Sequence, residues 1–381
     1  MRKEKKEKKK FNWKQWIPML LFMLVGAGCG ILIVQYIDGV AERGTTFGQD
    51  MMIFALLLIA MYLCMLIQIV IHEAGHLVFG LLSGYQFSSF RIGSFMWILE
   101  EGKLRLKRLS LAGTGGQCLM SPPDLVNGKI PVILYNMGGS LMNLLASLVC
   151  GLLYLLIGKV NMFTTILMIM VLVGIAFAAM NGVPMRLGTV DNDGYNAFSL
   201  RKDSGARYSF WFQMKVNEQI SKGVRLKDMP EEWFLVPTDE EMKNSMIAVQ
   251  GVFTCNRLID ERKFEEADSL MQHLLSIESG IVGLHRSLMI CDRLYCELIG
   301  ENRTEVVDEM LTKEQRKFMK SMKTFPTVLR TEYAYELLAK GDAKKADKIR
   351  KQFEKMASKY PYPSEIQAER ELMKWAEKLF V

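Results

Sequence analysis

The sequence has few residues of the kinds that build disulfide frameworks or thiolate metal sites. Among its 381 residues are 7 cysteines and only 4 histidines. Its charged second half contains no C-x-x-C pair. We therefore expect neither a disulfide framework nor a thiolate zinc site. The isolated thiols also suit a second half that faces a reducing cytoplasm.

The basic N-terminus lacks the marks of a nucleic-acid-binding segment and of a cleaved signal peptide. No aromatic interleaving or nucleic-acid motif accompanies its charges, which are Arg2, Lys3, Lys5, Lys6, Lys8, Lys9 and Lys10. The apolar stretch that follows is too long for a signal core, and no convincing small-x-small cleavage site follows it. Residues 1–15 are predicted to form a basic cytoplasmic tail that orients the first span. Binding of anionic lipid head groups is a second interpretation.

Four apolar segments are long enough to cross a bilayer as helices, which takes about 20 residues. They are Trp16–Ile37, Met51–Leu82, Pro131–Ile157 and Met162–Val183. The tail and the loop after the second segment are rich in Lys and Arg, which places them in the cytoplasm. We expect a multi-pass protein of the cell membrane with both termini cytoplasmic and the lipid bilayer as a partner.

The remaining regions have other patterns. Tyr85–Leu111 has short alternating apolar runs around a turn at Glu100–Lys103, which predicts a β-hairpin at the membrane face. From about Tyr208 the pattern is helical. There, Asn256–Leu275 and Tyr335–Met356 resemble each other and the helix–turn–helix unit of tetratricopeptide repeats. An ordinary α-helical domain is the alternative.

The expected fold class is mainly α. It comprises a four-span transmembrane helical core with a membrane-associated β-hairpin, followed by a cytoplasmic α-helical, tetratricopeptide-like domain. The predicted boundaries are 1–15 for the tail, 16–200 for the transmembrane domain and 201–381 for the cytoplasmic domain.

The second apolar segment contains the motif H-E-x-x-H, formed by His72, Glu73 and His76. Residues four apart share one helix face, so both imidazoles can reach one Zn²⁺. Glu73 is then placed to act as the general base on a water molecule. Each charged residue in a spanning helix costs about 2–3 kcal/mol or more on insertion scales. A purely structural role for all three residues is therefore disfavoured, although satisfied core histidines are the alternative.

A catalytic zinc site usually has three protein ligands and an open fourth position. Asp191 and Asp193, just after the fourth apolar segment, are the carboxylates that the predicted topology brings to the level of the histidines. A polar turn at the end of a helix is the alternative interpretation of these residues.

Over roughly residues 50–200 the chain resembles the site-2 protease family of intramembrane metallopeptidases. Besides H-E-x-x-H, it has Gly139 and Asn143 in a G-x-x-x-N arrangement, and Asn181 and Pro184 in N-x-x-P. The family's third zinc ligand directly precedes a glycine, which implies Asp193 before Gly194, with Asp191 as the alternative. The chain departs from the usual Asp-Gly-Gly, because Tyr195 follows Gly194, and its spacer after the proline is longer.

This resemblance implies a zinc-dependent endopeptidase that hydrolyses peptide bonds of membrane-embedded substrates with a metal-activated water. Zn²⁺ would be held by His72, His76 and Asp193, with Glu73 moving the proton. Asn143 and Asn181 are expected to contact the substrate backbone or the developing oxyanion.

An unwound substrate strand could pair with the predicted hairpin. The expected partners are a membrane protein or peptide substrate and a protein bound by the helical domain. The alternative function is an inactive membrane-anchored scaffold that uses its repeat-like domain to bind partners. A zinc transporter is the least favoured, because the first and third segments offer few polar residues.

Overall fold

The structure is a computed structural model that describes residues 17–42, 44–100, 102–109, 115–185 and 191–380. The predicted basic tail, residues 1–15, lies outside the described residues. The chain divides into two compact units. The first comprises Met1–Ser83 and Val132–Ser199, and the second comprises Gly84–Pro131 and Leu200–Val381. The second unit thus includes the region of the predicted hairpin, which the predicted boundaries grouped with the apolar helices.

Four helices in the described part of the first unit are long and apolar enough to cross a membrane. They are α1 (Ile17–Ala41), α2 (Phe47–Leu82), α3 (Ile133–Ile157) and α4 (Met162–Gly182). The four predicted apolar segments are therefore confirmed as helices. α2 begins four residues earlier than predicted, because Thr46 and Gln49 form a reciprocal capping box there.

The first unit has a small shared core and an apolar exterior. Its buried cluster combines residues of three helices, namely Cys29, Ile33, Leu57, Cys64, Ile169 and Val173. Outward residues include Leu63, Leu155 and Leu156, which are 50%, 72% and 82% exposed. A continuous apolar exterior of this kind is unfavourable in water and suits the hydrocarbon of a bilayer, where helices satisfy their own backbone groups.

A four-stranded antiparallel sheet lies in the second unit. Its strands are β1 (Gln86–Ile92), β2 (Phe95–Glu100), β3 (Lys103–Arg108) and β4 (Gly116–Ser121), in the order β3-β2-β1-β4. The predicted turn is confirmed by the pairing of Glu100 with Lys103. The prediction of a single hairpin is incomplete, because a second turn at Gly93 (φ 59°) divides the segment before Glu100 into β1 and β2. Leu111, the predicted end of the hairpin, lies outside the described residues.

The rest of the chain is helical. The helices are α5 (Asp193–Lys202), α6 (Ser204–Ser221), α7 (Ser245–Asp260), α8 (Phe264–Ser276), α9 (Gly283–Ile299), α10 (Thr304–Met310), α11 (Lys313–Ser321), α12 (Pro326–Ala334), α13 (Ala343–Ala357) and α14 (Pro363–Leu379). A π-helical turn, Tyr335–Ala339, continues α12. The helical character predicted after Tyr208 is confirmed.

Both repeat-like stretches form a helix, a short turn and a second helix. In the first stretch the turn between α7 and α8 includes Arg262, with φ 63°. In the second, Gly341 (φ 63°) precedes α13. The small residues Ala267 and Ala346 are 0% and 1% exposed and lie in hydrophobic clusters. A relation to tetratricopeptide repeats stays a prediction.

Candidate metal centre

Two histidines one turn apart on α2 turn their rings toward the same point. His72 and His76 are each 8% exposed. Their ring centroids are 4.8 Å apart, and the ring planes are inclined at 84°. The two Nε2 atoms lie 3.2 Å from each other. Because positions i and i+4 share a helix face, the local helix alone brings these nitrogens together.

Asp193, the first residue of α5, brings a carboxylate to the same point. Its Oδ2 atom lies 3.0 Å from Nε2 of His72 and 3.3 Å from Nε2 of His76. With the 3.2 Å between the nitrogens, the three atoms form a nearly equilateral triangle. Ligands about 2.0–2.1 Å from a tetrahedral zinc ion are separated by about 3.3–3.4 Å. The triangle therefore has close to the size of one face of that tetrahedron.

The other ring nitrogen of each histidine determines its tautomer. Nδ1 of His76 lies 2.8 Å from the backbone carbonyl oxygen of Tyr135, which can only accept a hydrogen bond. Nδ1 of His72 lies 2.8 Å from Oδ1 of Asn143. Each Nδ1 thus carries the proton and each Nε2 presents a lone pair. Two lone pairs and a carboxylate oxygen this close repel one another unless positive charge lies between them, and a divalent cation satisfies all three.

Gln68 holds the amide of Asn143 in the orientation that His72 needs. Asn143 donates from Nδ2 to the side-chain Oε1 of Gln68, at 2.6 Å, and to its backbone oxygen, at 2.9 Å. Gln68 in turn donates from Nε2 to the backbone oxygen of Met170, at 3.1 Å. Gln68 and Asn143 are 0% exposed. This chain of hydrogen bonds runs from α4 through α2 and α3 to His72, so the tautomer depends on three helices.

Glycines make room for this arrangement. A Cβ atom at Gly139 would lie 2.4–2.6 Å from the ring of His72, closer than any side chain tolerates. At the crossing of α2 and α3, a Cβ on Gly75 would lie 2.3 Å from the backbone oxygen of Gly138. Small residues at these positions allow the two helices to approach closely. In the G-x-x-x-N arrangement, Gly139 therefore leaves space for the ring of His72, and Asn143 forms a hydrogen bond with that ring.

Asn192 and Gly194, the two neighbours of Asp193 in the chain, fix the position of its backbone. Asn192 donates to the backbone oxygens of Met180 and Val183, at 2.7 and 2.6 Å, and its Oδ1 accepts from two backbone N–H groups. A Cβ on Gly194 would lie 2.2 Å from the backbone oxygen of Gly182. The start of α5 is thus held directly against the end of α4, and only glycine fits at the contact.

The charge of Asp193 is set by two opposing effects. Burial raises the pKa of its carboxyl, but the adjacent imidazoles of His72 and His76 lower it by more, so the pKa lies well below its ordinary value. The carboxyl is therefore ionised at neutral pH, which is the form in which a carboxyl group can bind a metal ion.

The other predicted site residues differ in where they lie. Glu73 is 9% exposed and follows His72 on α2. Asp191 does not belong to the group of ligand atoms that His72, His76 and Asp193 form. Asn181 donates to the backbone oxygen of Phe177 in its own helix, at 3.0 Å. Its predicted contact with substrate stays a prediction.

Asn143 has contacts that differ from the predicted ones. The sequence suggested that it binds the substrate or an oxyanion, but it is fully buried and both ends of its amide are engaged within the protein. These contacts give it the task of orienting His72. They do not support a contact with substrate.

Gln68 and Asn192 are two residues of the site that were not predicted from the sequence. The sequence did indicate a special role for Gln68, because a carboxamide in the middle of an apolar helix is costly unless it forms hydrogen bonds. The indication for Asn192 was weaker. It lies between two aspartates, where an ordinary polar turn explains it equally well.

Comparisons of the chain with protein-family models, with curated proteins and with solved structures find no match.

Proposed function

We propose that this protein is a zinc-dependent endopeptidase that hydrolyses peptide bonds of membrane-embedded substrates. The observation that carries the proposal is the triangle of His72 Nε2, His76 Nε2 and Asp193 Oδ2, with sides of 3.0–3.3 Å. Both imidazoles present lone pairs to it because their Nδ1 atoms are engaged elsewhere. Two imidazoles and one carboxylate form a ligand set typical of catalytic zinc, with a fourth position left for water.

Zinc bound there would supply Lewis acidity, which lowers the pKa of a water molecule toward neutrality and polarises a carbonyl group. The residues of the chain supply the proton transfers. Glu73, buried and adjacent to His72, would accept a proton from the attacking water and pass it to the leaving amine. A general base of this kind contributes about 10²–10⁴-fold to the rate.

The surroundings of the centre point to a substrate that comes from the bilayer. The two histidines belong to a 36-residue apolar helix that could cross a membrane. A substrate helix in lipid satisfies its own backbone hydrogen bonds, so it must unwind locally before its carbonyl is accessible. The resemblance to the site-2 protease family, through His72, Glu73, His76 and the Asp193-Gly194 pair, supports the same substrate class.

Metal analysis combined with one conservative variant tests the proposal. The purified full-length protein is expected to contain about one zinc ion per chain. Glu73→Gln should keep that zinc, because Glu73 is not a ligand, and should lose at least about 100-fold in cleavage of a membrane-inserted reporter peptide. Glu305→Gln, at an exposed position on α10, is the matched control and should leave cleavage unchanged.

Two results would contradict the proposal. Protein purified without chelators that holds no zinc and binds none on titration would favour the alternative, an inactive membrane-anchored scaffold. Undiminished cleavage by Glu73→Gln would remove Glu73 from the mechanism.

A further inference from the structure

The second unit contains a cavity of about 350 Å³. Four helices, α6, α7, α9 and α14, contribute most of its wall. Pockets that bind small ligands fall in the range of about 300–1,000 Å³. The cavity is therefore large enough to be a binding site, and its lining determines what it could bind.

Carboxamide side chains with unused hydrogen-bonding capacity line the cavity. Gln213 and Asn217 lie four residues apart on α6, and Asn256 lies on α7. All three are partly buried. Within the described residues none of these amides forms a hydrogen bond to another group. Each amide offers two donors and an acceptor, which matches the N–H and C=O groups of an extended peptide backbone.

The same cavity has a carboxylate without a cationic partner. Glu365, on α14, accepts a hydrogen bond from the hydroxyl of Tyr360 at 2.9 Å. No Lys, Arg or His in the described part of the chain forms an ion pair with it. Burial raises the pKa of Glu365 to about 7, and the hydrogen bond from Tyr360 offsets only part of this effect.

The other acidic residues of the wall are already paired. Asp260 forms an ion pair with Arg225. Asp292 and Glu369 both pair with the fully buried Arg330. Glu365 is thus the acidic side chain of the wall that remains available to a ligand cation.

A further polar atom in the wall lacks a partner. Nδ1 of His285, on α9, is buried and makes no hydrogen bond within the described residues. Leaving a buried polar atom unpaired costs about 1–3 kcal/mol, which a ligand group could recover. Aromatic side chains, including Phe253 and Tyr362, complete the wall and offer surface for the aliphatic stem of a long basic side chain.

We propose that this cavity binds an extended peptide segment that presents a lysine or arginine side chain to Glu365. The carboxamides of Gln213, Asn217 and Asn256 hold the peptide backbone, and the basic side chain forms a charge-assisted hydrogen bond with the Glu365 carboxylate. The site is independent of the metal centre, because every residue it uses lies in the second unit.

The test uses the full-length protein carrying Glu73→Gln, so that no peptide is cleaved during the measurement. The probes are three fluorescein-labelled hexapeptide pools with the third position set to Lys, norleucine or Glu and the other positions randomised. Fluorescence anisotropy measures binding. The Lys pool should bind at least about tenfold more tightly than the Glu pool, with the norleucine pool between them. A Lys pool that is N-methylated at its peptide nitrogens should bind weakly, because it lacks backbone N–H donors.

Variants separate the two parts of the site. Glu365→Gln should abolish the preference for Lys over norleucine while backbone-dependent binding remains. Asn256→Leu and Asn217→Leu should each weaken all three pools by about tenfold. Two variants are used so that unfolding of one, which circular dichroism would reveal, leaves the other as a test.

Gln219→Leu, on α6 but outside the cavity lining, is the control for the amides, and Glu305→Gln is the control for Glu365. Equal binding of the three pools overturns the proposal. So does a Lys preference that Glu365→Gln leaves intact, or equal losses in the cavity and control variants.

Discussion

His72 donates a hydrogen bond from Nδ1 to Oδ1 of Asn143, at 2.8 Å, although the two residues lie 71 positions apart on different helices. This contact determines which nitrogen of His72 is free to bind a metal ion. Partners of this kind orient ligands, and their loss typically lowers metal affinity by about 10–100-fold.

Asn143→Leu is therefore expected to weaken zinc binding by about 10–100-fold. The measurement is zinc affinity by competition with a chelator of known affinity. Asn181→Leu is the matched control, because within the described residues its amide bonds only to the backbone of its own helix, and it should change affinity less than about twofold. Equal effects of the two variants would show that Asn143 does not orient His72.

Gly139→Ala should displace the ring of His72, because the added Cβ would lie within 2.4–2.6 Å of it. We expect loss of zinc and of cleavage, measured by metal analysis and the reporter peptide. Gly151→Ala, on the same helix, meets its nearest neighbour, Val171, at an ordinary 3.8 Å. That control should retain zinc and gain up to about 1 kcal/mol of helix stability. A Gly139→Ala protein with normal zinc content would contradict the steric argument.

The choice between the two aspartates can be made directly. Asp193→Asn keeps the size of the side chain but removes the negative charge beside the two imidazole nitrogens, so it should lose most of its zinc. Asp191→Asn should retain zinc, because Asp191 lies outside the group of ligand atoms. Metal content and circular dichroism of both variants, measured together, check this. The reverse outcome would make Asp191 the ligand.

The stability of the second unit should fall as the pH rises from about 4.5 to about 7, in part because of Glu365. Its pKa is raised from 4.5 to about 7, first by burial, with Glu369 adding repulsion and the bond from Tyr360 acting in the opposite direction. Between pH 4.5 and 7 the folded chain therefore binds more protons than the unfolded chain at this site. Stability from this group is highest below that window and lowest above it.

Glu365→Gln should remove this part of the pH dependence. The gain in unfolding free energy of the variant over wild type should be about 1–2 kcal/mol larger at pH 8 than at pH 5. Each pKa unit corresponds to about 1.4 kcal/mol, and the exposed part of the side chain reduces the effect. Thermal unfolding of wild type and variant at pH 5 and pH 8 measures the difference. Parallel shifts of the two proteins would exclude Glu365 as the source. Asp292, whose pKa burial raises to about 6, contributes equally to both and cancels in the comparison.

Local patterns were sufficient for much of the fold. The four long helices follow from runs of apolar residues, and the helix–turn–helix units follow from short-range periodicity. Strand β4 was missed because Gly116–Ser121 has little alternation and becomes a strand only by pairing with β1. A strand of this kind takes its stability from a neighbour across the sheet, which no local pattern records.

By itself, the sequence determined that two histidines and a glutamate share an apolar helix, because positions four apart must face the same way on any helix. Only the tertiary structure decided that Asp193 reaches them from 121 positions away. It also decided that Asn143 is hydrogen-bonded to both His72 and Gln68 inside the protein. Contacts between distant helices require close backbone approach, which the glycines at positions 75, 138 and 194 allow. They also depend on which of several polar groups each side chain bonds in the folded protein. Neither property can be read from a local stretch of sequence.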